Sequence, residues 1–209
     1  MMSEDVQTLA EAPDEIVTST EGQPEWVTGE LPAQYGELAA KIRALKSEAR
    51  KYEKIAAVLW QTGAPLVLAV RDLFDALQFK AETSGNGPAG HDLTVHLDGN
   101  RRLLLQVVGS PEGMTRKSPH IAHVLHTLQT DASEQDRVVV VANTHCEIPV
   151  PERRQEPVSP DALRLLQGLG ANVIPTPALF GLWRYSLQDL AGARQSIMRL
   201  HGQDGGIFR

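Results

Sequence analysis

Residues 91–109 constrain the fold most, because two runs of alternating apolar and polar residues flank a short Asp-Gly-Asn turn signal at 98–100. This pattern predicts a β-hairpin with a three-residue turn. Counting outward from the turn places Asp92 directly across from Gln106, with their Cβ atoms about 5 Å apart on one face of the sheet. The segment therefore predicts an antiparallel strand pair in a defined register.

The two faces of the predicted hairpin differ in chemistry. One face is apolar and is expected in the core; it carries Leu93, Val95, Leu97, Leu103, Leu105 and Val107. The other face carries Asp92, Thr94, His96, Arg102 and Gln106. We expect Asp92 and Gln106 to contact a ligand there. His96 and Arg102 lie near the turn, where they either join that site or are simply solvated.

A divalent cation on this polar face would need a second carboxylate opposite Asp92. Carboxylate oxygens hold Mg²⁺, and a lysine two residues further on would complete such a site. The chain has Gln106 and Val108 at these two places. Because an amide oxygen is a poorer ligand for a hard cation, we expect no cofactor, and Asp92 alone is a weak candidate metal ligand.

The bulk composition predicts a cytoplasmic protein without a membrane partner. The chain has 209 residues, enough for one domain with a full core, and a formal net charge of −6. Its single cysteine excludes an internal disulfide and fits a reducing compartment. No apolar run reaches the length of a membrane span, and the first residues lack a signal-peptide pattern.

The N-terminal part of the chain has two predicted segments. Residues 1–32 are acidic and aperiodic, which is typical of a disordered, solubilising leader; the alternative is a docking arm for a basic surface. Residues 33–62 have apolar positions spaced by three and four, which predicts a long helix with one apolar stripe. That stripe packs either on its own domain or on a second copy as a coiled coil.

The remaining elements predict an α/β fold, with a mixed central sheet flanked by helices, over residues 63–201. Gly63 is expected to end the long helix, and residues 202–209 form a frayed tail. The predicted elements are a helix at 65–77, a strand at 79–82, the hairpin, a helix at 119–129, a buried strand at 137–142, a helix from Pro160, a strand at 171–176, and helices at 177–184 and 186–201.

Several short motifs accompany this order of elements. They are Tyr52 in the long helix, Thr62-Gly63-Ala64-Pro65-Leu66, Leu104-Leu105-Gln106-Val107-Val108-Gly109, Val139-Val140-Val141-Ala142-Asn143, Pro149-Val150-Pro151-Glu152-Arg153, and Thr176-Pro177-Ala178-Leu179-Phe180-Gly181-Leu182-Trp183. Over residues 55–185 the chain resembles the restriction-endonuclease-like fold of the PD-(D/E)XK superfamily. Within that superfamily it resembles bacterial proteins of unassigned function.

The resemblance implies a nuclease scaffold whose catalytic site has degenerated. Asp92 keeps the first carboxylate of the family pattern, whereas Gln106 stands in place of the second. Val108 stands in place of the lysine and Val67 in place of a helical glutamate. The chain is therefore expected to be a pseudoenzyme that acts by binding a protein partner, a nucleic acid or a nucleotide ligand.

Two alternatives to this pseudoenzyme stay open. One is a divergent Mg²⁺-dependent nuclease that uses Asp92 with displaced helpers from the loop at 112–117, which carries Glu112, Arg116 and Lys117. The other is a dimeric scaffold or adaptor that self-associates through the helix at 33–62.

Two further sets of polar residues are candidates for binding. Arg153, in a loop after a strand, is expected either to reach phosphate or a partner carboxylate, or to be a surface charge. His120, His123 and His126 predict an exposed polar stripe on one helix, with a metal site as the alternative.

Overall fold

A computed structural model describes residues 24, 26–84, 90–203 and 205–208. Most of the predicted leader at 1–32 lies outside these residues. The chain divides into two compact units, Met1–Glu48 and Ala49–Arg209. Among the described residues, no helix combines the length and the apolar composition needed to cross a bilayer.

The first unit contains a short helix and most of a long one. Helix α1 is Val27–Glu30, and helix α2, Ala33–Ala56, continues into the second unit. A 3₁₀ turn, Ala57–Leu59, follows α2. The predicted long helix is therefore confirmed, with an end about one turn earlier than expected. Gly63 does not end it: Gly63 opens the next helix with a φ of +56°.

The second unit is an α/β structure, as predicted. Its described strands form one six-stranded mixed sheet in the order β1 to β6. The first three strands are antiparallel neighbours, and β3 to β6 run parallel. The strands are β1 Lys80–Thr83, β2 Leu93–His96, β3 Arg102–Ser110, β4 Asp136–Thr144, β5 Asn172–Pro175 and β6 Gly206–Ile207.

Helices cover both faces of this sheet. Buried residues of α3, α6 and α7 join one core cluster with the face of Leu93, Leu105 and Val141. Residues of α4 and α5 join a second cluster with the face of Leu104 and Val140. The helices are α3 Gly63–Ala76, α4 Pro119–Thr130, α5 Pro160–Gly168, α6 Thr176–Ser186 and α7 Leu190–His201.

The predicted register of the hairpin is confirmed. Leu93 pairs with Leu105 and His96 with Arg102, which is the pairing that the turn at 98–100 predicts. The main-chain N–H of Asp92 donates to the carbonyl of Leu105 at 2.8 Å. This bond is one residue out of the register of β2 with β3, so regular pairing ends at Leu93, and it is a side-chain hydrogen bond that joins Asp92 to Gln106.

The two faces of the hairpin are not as different as the sequence suggests. The predicted apolar face is wholly in the first core cluster, as expected. The other face also carries Leu104 and Val108, which are buried in the second cluster with side chains of α4 and α5. The face that carries Asp92 is therefore apolar in part on β3, while Thr94, His96 and Arg102 on the same face are half-buried. Since β3 is flanked by strands on both sides and covered by helices, both of its faces are core.

The end of the chain forms a strand instead of a frayed tail. Gly206–Ile207 pairs in parallel with β5, and the N–H of Phe208 donates to the carbonyl of Val173 at 2.8 Å. Gly205 makes the turn into this strand with a φ of +77°, where a Cβ would lie 3.0 Å from Cα of Gln167. Local sequence does not reveal this strand, because its hydrogen bonds come from a neighbour about thirty residues away in the chain.

Candidate functional site

Asp92 and Gln106 are in direct contact, as the sequence predicts. Oδ2 of Asp92 accepts hydrogen bonds from Nε2 of Gln106 at 2.9 Å and from the main-chain N–H of Val107 at 2.7 Å. Gln106 is 5% exposed, and Asp92 is half-buried. The carboxylate is thus held by two N–H donors on the neighbouring strand.

His120, in the first turn of α4, is close enough to Asp92 for the two side chains to interact electrostatically. Burial lowers the pKa of His120 and its neighbour His123 lowers it further, whereas the negative charge of Asp92 acts in the opposite direction. The imidazole is therefore neutral near pH 7. The predicted exposed stripe holds for His123 and His126, whereas His120 is half-buried and its Nδ1 is buried.

Two buried polar atoms of this site lack a hydrogen-bond partner among the described residues. They are Oε1 of Gln106 and Nδ1 of His120. Buried polar atoms are nearly always paired in folded proteins, so each exception needs a physical reason. We use the name hairpin site for Asp92, Gln106 and His120.

A salt bridge anchors the first residue of the hairpin to the end of α4. Nδ1 of His91 lies 3.0 Å from Oδ2 of Asp131, which also accepts the N–H of Gly90 at 2.9 Å. Burial disfavours the charged form of Asp131, but these hydrogen bonds outweigh it and lower its pKa. A Cβ at Gly90 would lie 2.7 Å from Oγ1 of Thr127, so this close approach requires glycine. The backbone next to Asp92 is thereby fixed against α4.

The structure does not bring the other residues of the family pattern into a catalytic arrangement. Val108 is buried in the cluster under α4 and α5. Val67 packs against the opposite cluster, so it lies on the other side of the sheet from Asp92. In the described parts of the chain, no group of three or more His, Cys, Asp or Glu side chains is placed to hold a metal ion.

His96 and Arg102 have structural partners at the turn end of the hairpin. Nε2 of His96 lies 3.1 Å from Oε2 of Glu82 on β1. Arg102 donates from Nε and Nη2 to the two carboxylate oxygens of Asp136, at 2.9 and 2.7 Å. This hydrogen-bonded carboxylate raises the pKa of Arg102. A role of these two residues in ligand binding stays a prediction.

The loop between β3 and α4 carries charged residues that precede His120 in the chain. Glu112, Arg116 and Lys117 are all exposed. Arg116 and Lys117 lie in the turn immediately before α4, whose first turn carries His120. The two cations therefore precede the site in the chain, and their side chains are open to solvent.

Arg153 lies in a second polar cluster, at the carboxyl ends of the parallel strands. Its guanidinium donates from Nε to the carbonyl of Ile148 at 2.7 Å and from Nη2 to the carbonyl of Leu59 at 2.5 Å. Nη1 donates to Oδ1 of Asn143 at 3.1 Å. Burial lowers the pKa of Arg153. The side chain thus holds loops together, and a role in reaching phosphate or a partner carboxylate stays a prediction.

Asn143, at the end of β4, is the hub of this cluster. Its Nδ2 donates to the carbonyl of Gln61 at 2.9 Å, and its Oδ1 also accepts the hydroxyl of Thr176 at 2.9 Å. Asn143 and Thr176 are fully buried. We use the name carboxyl-edge cluster for Asn143, Arg153 and Thr176. Sequence reasoning missed this hub, although polar residues directly after apolar strands are a signal for it.

A cleft of about 180 Å³ lies beside the carboxyl-edge cluster. Ligands of open α/β sheets commonly bind at the carboxyl ends of strands. Here, however, the guanidinium of Arg153 is already used by main-chain carbonyls. Nε2 of His145, which lines this cleft, is also unpaired among the described residues, but the hairpin site has two such atoms and is the stronger candidate.

Comparison with known proteins does not assign the chain to a family. No model of a known protein family matches it, and no curated protein is significantly similar to it.

Proposed function

We propose that this chain is a catalytically inactive protein of the restriction-endonuclease-like, PD-(D/E)XK type, and that it acts by binding a ligand at the hairpin site. The observation that carries this proposal is the contact between Asp92 and Gln106. An amide donor occupies the place opposite the aspartate, where a nuclease would need a second carboxylate.

This contact favours binding over metal-dependent cleavage. Mg²⁺ prefers several oxygen ligands, including one or two carboxylates. Oδ2 of Asp92 already accepts two N–H donors, and Gln106 adds no negative charge. A cation here would have to displace the amide hydrogen of Gln106 while gaining the charge of one carboxylate only.

The unpaired atoms of the site indicate what the ligand offers. Oε1 of Gln106 is an acceptor, so it would be satisfied by an N–H or O–H of the ligand. Arg116 and Lys117, exposed on the loop before α4, would favour a negatively charged group. A nucleic acid or a nucleotide carries both features, as base N–H groups and phosphates. A protein partner is the alternative, since its main-chain N–H groups suit the same acceptor.

A nuclease assay tests the loss of catalysis. Wild-type protein and an Asp92→Ala variant are incubated with single- and double-stranded DNA and RNA in the presence of Mg²⁺ or Mn²⁺. We expect no cleavage that depends on Asp92. Cleavage that is lost in Asp92→Ala would establish the divergent nuclease instead, with Mg²⁺ as its cofactor and the loop at 112–117 as the source of the missing groups.

A binding assay tests the ligand class. Fluorescence anisotropy with labelled oligonucleotides, and competition by free nucleotides, compares the wild type with Gln106→Met and Arg116→Ala. We expect each variant to weaken binding about tenfold, the effect of losing one good hydrogen bond or charge contact. Arg164→Ala is the matched control, because Arg164 is an exposed arginine on α5. Equal affinity of all four proteins would place binding away from the hairpin site.

A further inference from the structure

Helix α2 presents an exposed apolar stripe with a seven-residue repeat. Tyr35, Leu38, Ile42 and Leu45 are 43%, 57%, 37% and 64% exposed. Their spacing of three and four residues matches positions a and d of a heptad, the seam of a two-stranded coiled coil. The full series along α2 is Tyr35, Leu38, Ile42, Leu45, Ala49 and Tyr52.

We propose that this stripe binds the same stripe of a second copy of the chain, with the two helices antiparallel. In such a pair, each a position meets a d position of the other helix. Ile42 then faces the partner's Leu45, and the same register brings Tyr35 opposite the partner's Tyr52. The two-fold axis passes between residues 43 and 44, so the whole exposed stripe is used in one self-complementary contact.

The charges that flank the stripe determine the direction of the pair. Lys41 and Glu48 occupy g positions, and Lys46 and Glu53 occupy e positions. In a parallel pair each g residue faces an e residue of the next heptad, which would place Lys41 against the partner's Lys46 and Glu48 against the partner's Glu53. All these contacts are between like charges, so the parallel arrangement is disfavoured.

The antiparallel arrangement turns the same charges into attractive contacts. Here g positions face g positions, so Lys41 meets the partner's Glu48, and the contact occurs twice because of the two-fold symmetry. A shift of one heptad in either direction would instead place Glu48 against Glu48 or Lys41 against Lys41. Contacts between opposite charges therefore favour the register centred between residues 43 and 44 over the two registers shifted by one heptad.

The structure also excludes registers that rely on the C-terminal end of the helix. Ile55 is 7% exposed and belongs to the core, and Leu59 packs against the same core cluster. These side chains are already buried within their own chain. The stripe that remains available ends near Tyr52, which is 44% exposed. This leaves the register centred between residues 43 and 44.

Reversal of single charges distinguishes the two directions. Sedimentation velocity of the full chain over a range of concentrations gives the dimer dissociation constant for the wild type, Lys41→Glu, Glu48→Lys and the double variant. For the antiparallel dimer we expect each single variant to raise the constant about tenfold, since two attractive contacts become repulsive, and the double variant to restore it. In a parallel dimer each single variant would tighten the dimer, because Lys41→Glu then faces Lys46.

Two controls keep this experiment decisive. Arg43→Glu changes the same charge at an exposed position outside the seam and should leave the dissociation constant unchanged. Leu38→Glu places a charge in the seam and should abolish the dimer, while circular dichroism shows that α2 is still helical. A wild type that stays monomeric at every concentration, a dimer that survives Leu38→Glu, or single variants that tighten the dimer would each overturn the proposal.

Discussion

The carboxyl-edge cluster and the hairpin site both bury an amide side chain, but they pair it differently. Asn143 uses its Nδ2 and its Oδ1, so both ends of this amide have partners. Gln106 uses only Nε2, and its Oε1 has no partner among the described residues. The paired amide of Asn143 is explained by its structural role, whereas Oε1 of Gln106 and Oδ1 of Asn172 are buried acceptors without a partner among the described residues.

The comparison also shows the role of the short sequence motifs on which the resemblance to the PD-(D/E)XK superfamily is based. Asn143 belongs to one of these motifs, and its side chain contacts Arg153 and Thr176, which belong to two others. It also contacts Gln61, which directly precedes the motif that begins at Thr62. Tyr52 packs edge-on against Trp183, at a ring-centroid distance of 5.8 Å. The motifs therefore describe contacts that hold the scaffold together, and such contacts are independent of the residues at the hairpin site.

The largest expected effect is that of Asn143→Ala. This change leaves the carbonyl of Gln61, the hydroxyl of Thr176 and one N–H of Arg153 without their partner inside the protein. At about 1 kcal/mol or more for each unpaired group, the free energy of unfolding should fall by at least about 3 kcal/mol. Urea unfolding measures it, with the exposed turn residue Asn100→Ala as control. A loss below about 1 kcal/mol would contradict the structural role of the cluster.

Asp136→Asn tests whether the paired carboxylate of β4 that binds Arg102 of the hairpin has a structural role. The side chain of Asp136 is 0% exposed and accepts both hydrogen bonds of Arg102. We expect a loss of about 2 kcal/mol at pH 7. Burial disfavours the carboxylate, but hydrogen bonds from Arg102 and Ser133 outweigh burial and lower the pKa of Asp136.

The pH dependence of Asp136→Asn follows from that lowered pKa. A depressed folded pKa stabilises the protein fully above the unfolded value of about 4, and this contribution is lost as the pH falls through the folded value. The melting temperatures of wild type and variant should therefore differ most at neutral pH and converge in acid. Asp161→Asn, an exposed carboxylate, is the control. A difference that stays constant down to pH 3 would argue against the ion pair as its cause.

Gly109→Ala tests the close contact between β3 and the residues before α3. A Cβ at Gly109 would lie 2.8 Å from Cα of Thr62, which is too close for the backbone to accept without a shift. We expect a loss of about 2 kcal/mol from this overpacking. Gly181→Ala is the matched control, because open space surrounds Gly181 in α6 and alanine favours a helix. Equal effects of the two changes would contradict the contact.

The smallest stability change, and the sharpest test of the hairpin site, is Gln106→Glu. This variant places a second carboxylate beside Asp92, which should cost about 1 kcal/mol in EDTA through like-charge repulsion and loss of a donor. Millimolar Mg²⁺ should then raise its melting temperature, since a ligand that binds only the folded state stabilises it. Wild type and the double variant Asp92→Asn/Gln106→Glu should not respond. A Mg²⁺-dependent shift of the wild type would show that Gln106 does not prevent metal binding.

Local pattern was enough to predict the hairpin, its register and the order of helices and strands from α2 to α7, but not α1 or the terminal strand β6. Strand pairing follows from the two-residue alternation and the turn at 98–100, and Ser159 accepts the N–H of Ala162 as the expected cap of α5. The α/β class follows from that order. The more specific restriction-endonuclease-like fold stays a proposal.

The features that sequence reasoning missed depend on tertiary contacts. The partial burial of His120 depends on how α4 packs in the fold, which its own apolar spacing does not determine. Asn143 becomes a hub because segments from four parts of the chain meet there. Leu104 and Val108 are buried because α4 and α5 cover the face that they share with Asp92. Each of these outcomes is set by the packing of distant elements, so no short window of sequence contains it.

The two-residue strand β6 has a practical consequence for work with shortened forms of the chain. Cleavage before Gly205 would uncover the outer edge of β5 and leave its main-chain donors and acceptors open to a strand from another molecule. Such forms would be prone to aggregate, even though every helix and the hairpin site are retained.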